Sequence, residues 1–330
     1  MIRSEQKMDL PIIATMIGDS AGIGPEVAFK AAVSGELAGV CRPLLIGDIA
    51  SIRAAAVLAS PSAEFEVIKT FDAAAFTSGK TVVLDPGDLG AGDYRIGEPS
   101  AAAGRSVVKW IDLADELARD GCLDGWIMGP VDSTSLKLAG AVDSIDDLQP
   151  TGTFMFRMSG RLRVVPLTEH IRIRDVASTV TREAVLNLIE LVDQTLRAWG
   201  IAKPRIGVAG LNPHAMFEED ADIVKPAVQD AQARGIDAHG PSAPDSIFRH
   251  GLEGRYDVIV SMYHDQGQIA LKSAAFEGAC TICLGVPYVR ATVPHGTAMD
   301  IAGRNVAQHH SMLSAFRTAA ALAAGRGFLA

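Results

Sequence analysis

Short apolar runs recur along the chain, and a longer stretch of helical or turn-like character separates each run from the next. Such runs are typical of buried strands in a parallel sheet, because both faces of that sheet are covered. The predicted strands are Pro11–Ile17, Pro43–Ile46, Val67–Ile68, Thr81–Leu84, Gly125–Met128, Leu162–Leu167, Ile206–Ala209, Val258–Val260 and Thr281–Leu284.

Between these runs lie stretches in which apolar residues repeat at the spacing of one helix face. The predicted helices are one that starts at Pro25, followed by Ser100–Arg119, Arg182–Trp199, Asp222–Arg234 and Ala307–Gly325. The segments 86–99 and 139–156 break this rhythm and are predicted as loops. Alternation of strands and helices over nearly the whole chain predicts the α/β class with mostly parallel sheets.

The composition favours a globular protein and excludes several function classes. A chain of 330 residues suits two domains, and 48% hydrophobic with 21% charged residues is an ordinary globular balance. The net charge of −9 argues against a nucleic-acid partner, which requires a basic face, but local cations still permit a small anionic substrate. No apolar run approaches the roughly 18 residues of a membrane span. We therefore predict a cytoplasmic protein without a membrane partner.

The four cysteines are interpreted as packed, reduced thiols, which also favours the cytoplasm. Cys41 and Cys122 have apolar neighbours. Cys280 and Cys283 have the CxxC spacing of a zinc site, but a single pair is a weak signal. Within a strand their side chains would point to opposite faces, so packing is the preferred interpretation.

A glycine-rich turn, Gly18–Glu26, follows the first apolar run. Pro25 and Glu26 suit the first turn of a helix, and a turn of this kind can bind an anion through backbone N–H groups. The turn matches neither the dinucleotide fingerprint nor the P-loop. Asp19 would lie at the strand tip, where a buried carboxylate suggests a function. The alternative is a tight turn that only needs glycine.

The stretch 261–304 carries an unusual density of titratable groups among apolar residues and glycines. They are His264, Asp265, Lys272, Arg290, His295 and Asp300. The strand Val258–Val260 precedes it, so His264 and Asp265 fall at a carboxyl end of the sheet, where open α/β sheets bind ligands. We interpret this stretch as part of an active site; the alternative is a loop-rich surface with scattered charges.

Three histidines share one context, because His170, His214 and His264 each follow a predicted strand. Parallel strands present their carboxyl ends on one side, so the three imidazoles are predicted to converge. Three neutral imidazoles suit one divalent metal ion with open positions, either zinc or magnesium. A single histidine in such a place is usually structural.

The groups around this predicted metal site suit an anionic substrate. Lys272 and Arg290 can hold a carboxylate or phosphate, the first as a point charge and the second as a rigid fork. Lys272 is also a candidate catalytic residue. Asp265 is the second candidate, which would orient a histidine or lysine. The set is compatible with oxidation beside a carboxylate followed by loss of CO₂, and with metal-assisted hydrolysis. A two-domain solute-binding protein is a third hypothesis.

Six motifs in the same order resemble those of the 4-hydroxythreonine-4-phosphate dehydrogenases of vitamin B6 synthesis, the PdxA-like proteins. They are IGDSAGIGPEV, MGPV, EHIRIRD, GLNPHA, MYHDQGQIALK and GVPYVRATVPHGTAMDIAGR. The resemblance implies two α/β/α domains of the isocitrate/isopropylmalate dehydrogenase type, with the active site in the cleft between them. The expected boundaries are 1–135 plus 300–330 for the first domain and 136–299 for the second.

The resemblance also implies a chemistry and an assembly. It implies a homodimer with shared active sites, NAD as oxidant, and a divalent metal bound by His170, His214 and His264. It assigns substrate contacts to Lys272 and Arg290. The segments expected to line the cofactor cleft contain Gly285, Val286, Pro287, His295, Gly296 and Thr297. The family reaction oxidises a secondary alcohol and then decarboxylates the β-keto acid.

Four positions depart from the family pattern and are predicted to contact the substrate. Thr153 and Phe154 stand where the family motif has histidine and threonine, Asp132 follows Gly-Pro-Val in place of a histidine, and Thr281 replaces an asparagine. A carboxylate repels a phosphate, and an aromatic ring fits a flat substrate. The departures predict a divergent paralogue with a different substrate, either a phosphorylated hydroxy acid or a cis-dihydrodiol carboxylate such as the terephthalate diol.

Overall fold

The computed structural model describes residues 10–143, 145–274 and 280–328, which fold into two compact units. The first unit contains the described residues up to Leu148 together with His295–Ala324. The second contains Gln149–Pro294 together with Gly325–Phe328. The predicted domain boundaries lay at residues 135/136 and 299/300. The first nine residues of the predicted first domain, and part of the predicted loop 139–156, lie outside the described residues.

The first unit is built on five parallel strands in the order β3-β4-β2-β1-β5. Their bounds are β1 Ile12–Met16, β2 Arg42–Ile46, β3 Phe65–Ile68, β4 Thr81–Leu84 and β5 Gly125–Met128. Every residue of β1 is buried, as expected of a central strand covered on both faces. The strands predicted for this part of the chain are thus confirmed.

The helices of the first unit are α1 Gly24–Val33, α2 Ile49–Ala59, α3 Ala101–Arg119, α4 Ser133–Leu138 and α10 His310–Ala323. Ser100 caps α3 by accepting a hydrogen bond from the backbone N–H of Ala103 at 3.1 Å. The last helix begins three residues later than the predicted Ala307. The Ala307 carbonyl, which would accept an intrahelical hydrogen bond if the helix began there, instead accepts one from Nζ of Lys30 at 3.1 Å.

The second unit contains seven described strands in the order β12-β11-β6-β7-β10-β8-β9. Four of them, β7, β10, β8 and β9, are parallel, whereas β6, β11 and β12 join by antiparallel pairing. The bounds are β6 Phe154–Ser159, β7 Leu162–Thr168, β8 Ile206–Ala209, β9 Ala238–Ser242, β10 Val258–Tyr263, β11 Cys280–Leu284 and β12 Val289–Thr292. Cys280 and Cys283 are buried in β11, in agreement with the packing interpretation.

The helices of the second unit are α5 Ile173–Thr179, α6 Arg182–Ala198, α7 Lys225–Ala233, α8 Ile247–Leu252 and α9 His264–Ala274. The predicted loop 139–156 is partly wrong, because it includes the start of β6. The sequence predictions also omit β9, β12, α8 and α9, because the pattern of apolar residues does not mark these elements. In α9 polar residues and Gly267 obscure the helical pattern; a Cβ on Gly267 would lie 2.5 Å from Cγ1 of Val164.

None of the helices in the described ranges combines the length and the apolar composition that a membrane span requires.

Candidate active site

Strands β7 and β10 deliver a group of polar side chains to one edge of the second unit's sheet. The two strands are parallel, and Thr168 at the end of β7 is in register with Tyr263 at the end of β10. Glu169 and His170 follow the first strand, and His264 follows the second. The ring centroids of His170 and His264 are consequently 4.9 Å apart.

Glu169, His170 and His264 form a candidate metal-binding group. Each offers one ligand atom, and these atoms all lie within 4.8 Å of one another. Two imidazole nitrogens and a carboxylate oxygen are donors that divalent transition metals and zinc accept readily. The predictions did not include Glu169, because a charged residue immediately before a histidine is ordinary in sequence.

Asp265 contacts the imidazole of His264. Its Oδ1 lies 2.8 Å from Nδ1 of His264, and Nε2 of the same ring lies 3.5 Å from the amide nitrogen of Gln268. A carboxylate on one ring nitrogen fixes the ring orientation and leaves the other nitrogen as the ligand. Asp265 itself is 73% exposed. The geometry therefore gives Asp265 an orienting position.

His214 lies in a different setting within the same unit. It belongs to the short turn Pro213–Ala215, which begins beyond the end of β8, and it adopts a left-handed backbone conformation with φ of 57°. Its side chain is 68% exposed, and Nδ1 lies 3.9 Å from a carboxylate oxygen of Asp245. His214 is not part of the group formed by Glu169, His170 and His264, so its role as a metal ligand stays a prediction.

The predicted substrate residues of the second unit are distributed over α9 and three strands. Lys272 is exposed on α9, two helical turns or ~12 Å along the axis from His264. Arg290 is buried in β12. Thr281 in β11 pairs with Arg157 of β6.

Thr153 and Phe154 lie where β6 begins. The Thr153 hydroxyl donates to the carbonyl of Pro150 at 2.6 Å, which satisfies it locally. Phe154 is the first residue of β6, is half-buried, and pairs with Leu284 of β11. Gly285, Val286 and Pro287 follow in the connection between β11 and β12.

Asp132 has a structural contact in the first unit. Its Oδ1 accepts a hydrogen bond from the backbone N–H of Ser135 at 2.8 Å and so caps the N-terminus of α4. Asp132→Ala should lower the free energy of unfolding by about 1 kcal/mol, because the cap is lost. Asp132→Asn should keep most of it, since asparagine also caps. Urea denaturation of the three proteins tests this expectation; equal loss in both variants would contradict it.

The glycine-rich turn packs against the segment that carries the other predicted cofactor residues. The Ile23 N–H donates to the carbonyl of Thr297 at 2.9 Å. A Cβ on Gly22 would lie 2.8 Å from Cβ of Thr297, so only glycine allows this approach. Gly296 precedes Thr297, and His295 has a buried Nε2 without a hydrogen-bond partner among the described residues.

A cavity of about 80 Å³ lies beside this turn in the first unit. Its lining includes Ser20, Gly22, Glu26, Gly303 and Asn305. The Ser20 hydroxyl and the Asn305 Oδ1 are buried and have no hydrogen-bond partner in the described part of the chain. Buried polar atoms without partners are costly, which indicates a ligand or water at this place.

The Asp19 carboxyl is fully buried at the tip of β1. Burial raises its pKa above the ordinary value. The side chain of Ser135 and the N–H of Ala21, which donates to Oδ1 at 2.9 Å, lower the pKa in part, and the charge of Asp132 adds a smaller rise. Ionisation of this carboxyl is therefore less favourable in the folded chain than in the unfolded chain.

Asp19→Asn should change the pH dependence of stability. A raised folded-state pKa contributes stability below the ordinary carboxyl pKa, and this contribution is lost as the pH rises through the folded-state pKa. The asparagine side chain does not titrate, so the variant does not lose stability in this way as the pH rises. Its melting temperature relative to the wild type should therefore increase from about pH 4 to about pH 8. A pH-independent difference between the two proteins would contradict the raised pKa.

Comparison with known proteins decides the family. The family model described as "Pyridoxal phosphate biosynthetic protein PdxA" matches residues 39–319. A protein of Novosphingobium aromaticivorans with the provisional name 4-hydroxythreonine-4-phosphate dehydrogenase is 43% identical over 318 residues, with 96% of each chain covered. The chain belongs to the PdxA family. A further relative, from Symbiobacterium thermophilum, has the provisional name D-threonate 4-phosphate dehydrogenase and is 36% identical over 95% of this chain and 97% of its own.

Solved structures agree with this family and with the predicted α/β fold. A 4-hydroxythreonine-4-phosphate dehydrogenase from Burkholderia phymatum has a TM-score of 0.83 at 33% identity, covering 95% of this chain and 98% of its own. A terephthalate 1,2-cis-dihydrodiol dehydrogenase from Burkholderia xenovorans has a TM-score of 0.70 at 28% identity, covering 94% and 98%. The chain is thus a member of a dehydrogenase family, and the predictions of family and of a mostly parallel α/β fold are confirmed.

Proposed function

We propose that this PdxA protein is an NAD- and divalent-metal-dependent dehydrogenase. Its substrate is the secondary alcohol of a phosphorylated hydroxy acid of the 4-hydroxythreonine-4-phosphate type, and oxidation is followed by decarboxylation. The observation that carries the proposal is the group of Glu169, His170 and His264, whose ligand atoms lie within 4.8 Å of one another. The names of its relatives support the substrate class.

The metal would be held by His170 and His264, together with His214 as the sequence predicts. A divalent cation at this place lowers the pKa of a bound hydroxyl and stabilises negative charge that develops on oxygen. Imidazole nitrogens suit zinc, whereas magnesium prefers oxygen ligands, so zinc is the favoured ion. Asp265 keeps the His264 ring oriented through its 2.8 Å contact with Nδ1.

Three of the remaining predicted residues would bind the substrate. Lys272 and Arg290 would hold its anionic groups, Lys272 as a catalytic cation and Arg290 as a fork. Thr281 would contribute a polar contact. Asp132 and Phe154 mark the departures from the family pattern. The capping role of Asp132 accounts for a carboxylate there without a substrate contact.

NAD would bind along the glycine-rich turn and the segment that contains His295, Gly296 and Thr297. Beside this turn the Ser20 hydroxyl and the Asn305 Oδ1, which have no hydrogen-bond partner among the described residues, would be available to polar groups of the cofactor. Gly285, Val286 and Pro287, in the connection between β11 and β12, stay predicted cofactor residues.

We further propose a cytoplasmic homodimer with shared active sites. Large apolar side chains are exposed on the segments that carry the three histidines: Ile171, Ile173, Met216, Phe217 and Ile269. Such an exposed apolar group is typical of a protein–protein interface. A second copy of the chain would cover these side chains and close the site against water.

The test is a coupled assay of purified protein with NAD and a panel of phosphorylated hydroxy acids. We expect NADH formation that stops after chelation and resumes with zinc. Carboxylated cis-dihydrodiols belong in the same panel, because the similarity to the terephthalate dihydrodiol dehydrogenase and the aromatic Phe154 favour that class as the second candidate. Metal-dependent hydrolysis without any binding of NAD in calorimetry would replace the proposal by the three-histidine hydrolase.

A further inference from the structure

Arg157 forms a bidentate ion pair with the carboxylate of Glu169. Its two terminal nitrogens donate to Oε1 and Oε2, each at 2.8 Å. The two side chains are only 12% and 21% exposed. A bidentate pair of this kind fixes the plane and the position of the carboxylate, whereas a single contact would leave it free to rotate.

The same carboxylate belongs to the group with His170 and His264. Two carboxylate oxygens together offer about four acceptor positions, and the guanidinium group occupies one on each oxygen. One position on each oxygen therefore stays available for a cation. The ion pair with Arg157 therefore holds the Glu169 carboxylate beside the two imidazoles and leaves it able to bind a cation.

We infer that Glu169 is itself a ligand of the divalent ion and that Arg157 is its positioning residue. The inference rests on the proposed metal-dependent function and adds a carboxylate to the histidines that the sequence predicts. Two imidazoles and one carboxylate are a donor set that leaves positions open for a substrate. The negative charge of Glu169 strengthens binding of the cation. The guanidinium group of Arg157 fixes the orientation of the Glu169 carboxylate and partly offsets its negative charge.

Cobalt binding to the metal-free protein tests this inference, because the visible absorption of Co²⁺ reports the ligand set directly. Glu169→Gln should weaken Co²⁺ affinity by about 100-fold or more, since even residues that only orient a ligand cost about 10–100-fold. It should also change the absorption spectrum of the bound ion. Arg157→Lys, which cannot form the two-armed contact, should weaken affinity by about 10-fold.

The matched control is Glu190→Gln. Glu190 of α6 also pairs with an arginine, Arg234, but lies outside the metal group. It should bind Co²⁺ like the wild type. Melting temperatures of the metal-free variants show whether each variant folds. If Glu169→Gln does not fold, Glu169→Asp replaces it in the test, because aspartate keeps the charge but its shorter side chain moves the carboxylate away from the two imidazoles.

Each outcome decides one question. Wild-type affinity and an unchanged spectrum in Glu169→Gln would overturn the carboxylate ligand and leave the proposed dehydrogenase intact, provided that His170→Ala still abolishes binding. Absence of Co²⁺ binding to the wild type would overturn both. Reduced affinity in Glu169→Gln with a normal Glu190→Gln control would support the inference.

Discussion

Replacing His264 with alanine should reduce both zinc affinity and the rate of NADH formation by at least about 100-fold. Loss of a residue that merely orients a metal ligand already costs about 10–100-fold, and His264 is proposed as a direct ligand. The removal also leaves Asp265 without its partner at 2.8 Å. Calorimetric titration of the metal-free protein and the coupled assay with saturating zinc measure the two effects.

The control for this experiment is His239→Ala. His239 is an exposed histidine of the same unit that also pairs with an aspartate, Asp237, at 2.6 Å. His239 does not belong to the metal group. Its removal should therefore leave zinc affinity and the rate of NADH formation unchanged. If both variants lost zinc affinity and activity to the same extent, or if neither lost them, His264 would have no special role.

Replacing Gly18 with alanine should destabilise the protein by about 3 kcal/mol. Gly18 has φ of +85°, and a Cβ at this position would lie 2.1 Å from the carbonyl oxygen of Pro130. The left-handed conformation costs roughly 1–2 kcal/mol for alanine, and overpacking against rigid backbone typically adds about 1–3 kcal/mol. For a unit of this size the melting temperature should fall by roughly 10 °C.

Gly121→Ala separates the two contributions. Gly121 has a similar φ of +74°, but no atom lies within 4 Å of the position that its Cβ would take. This variant should therefore show only the conformational cost of about 1–2 kcal/mol. Differential scanning calorimetry compares the two. If both variants lost the same stability, the close approach of Gly18 to Pro130 would not be the cause.

The convergence of His170 and His264 was accessible from the sequence for a simple physical reason. Both follow apolar runs that form neighbouring parallel strands, and the carboxyl ends of such strands lie at one edge. The register of Thr168 with Tyr263 then brings the two rings together. An expectation of this kind requires only strand type and strand direction.

The position of His214 could not be derived in this way. Strand β8 ends at Ala209, and the chain continues through a turn before His214 is reached. The left-handed backbone of that turn decides where the ring points, and the apolar pattern carries no information about it. Strand ends are predictable from periodicity, whereas side chains several residues beyond them are not.

Glu169 was missed because its significance depends on a tertiary contact. Its partner Arg157 lies in β6, next to a segment that the turn-rich sequence predicts as a loop. The antiparallel pairing of β6 with β7 brings the guanidinium group to the carboxylate. A single charged residue before a histidine is ordinary in sequence, and only the fold shows that it faces the same point as two imidazoles.

The most direct test of the account is an X-ray structure of zinc-loaded crystals with anomalous data collected at the zinc edge. The account predicts an anomalous peak about 2.0–2.1 Å from a ring nitrogen of both His170 and His264. Zinc that binds elsewhere, or a map without a peak between these two rings at saturating zinc, would contradict it.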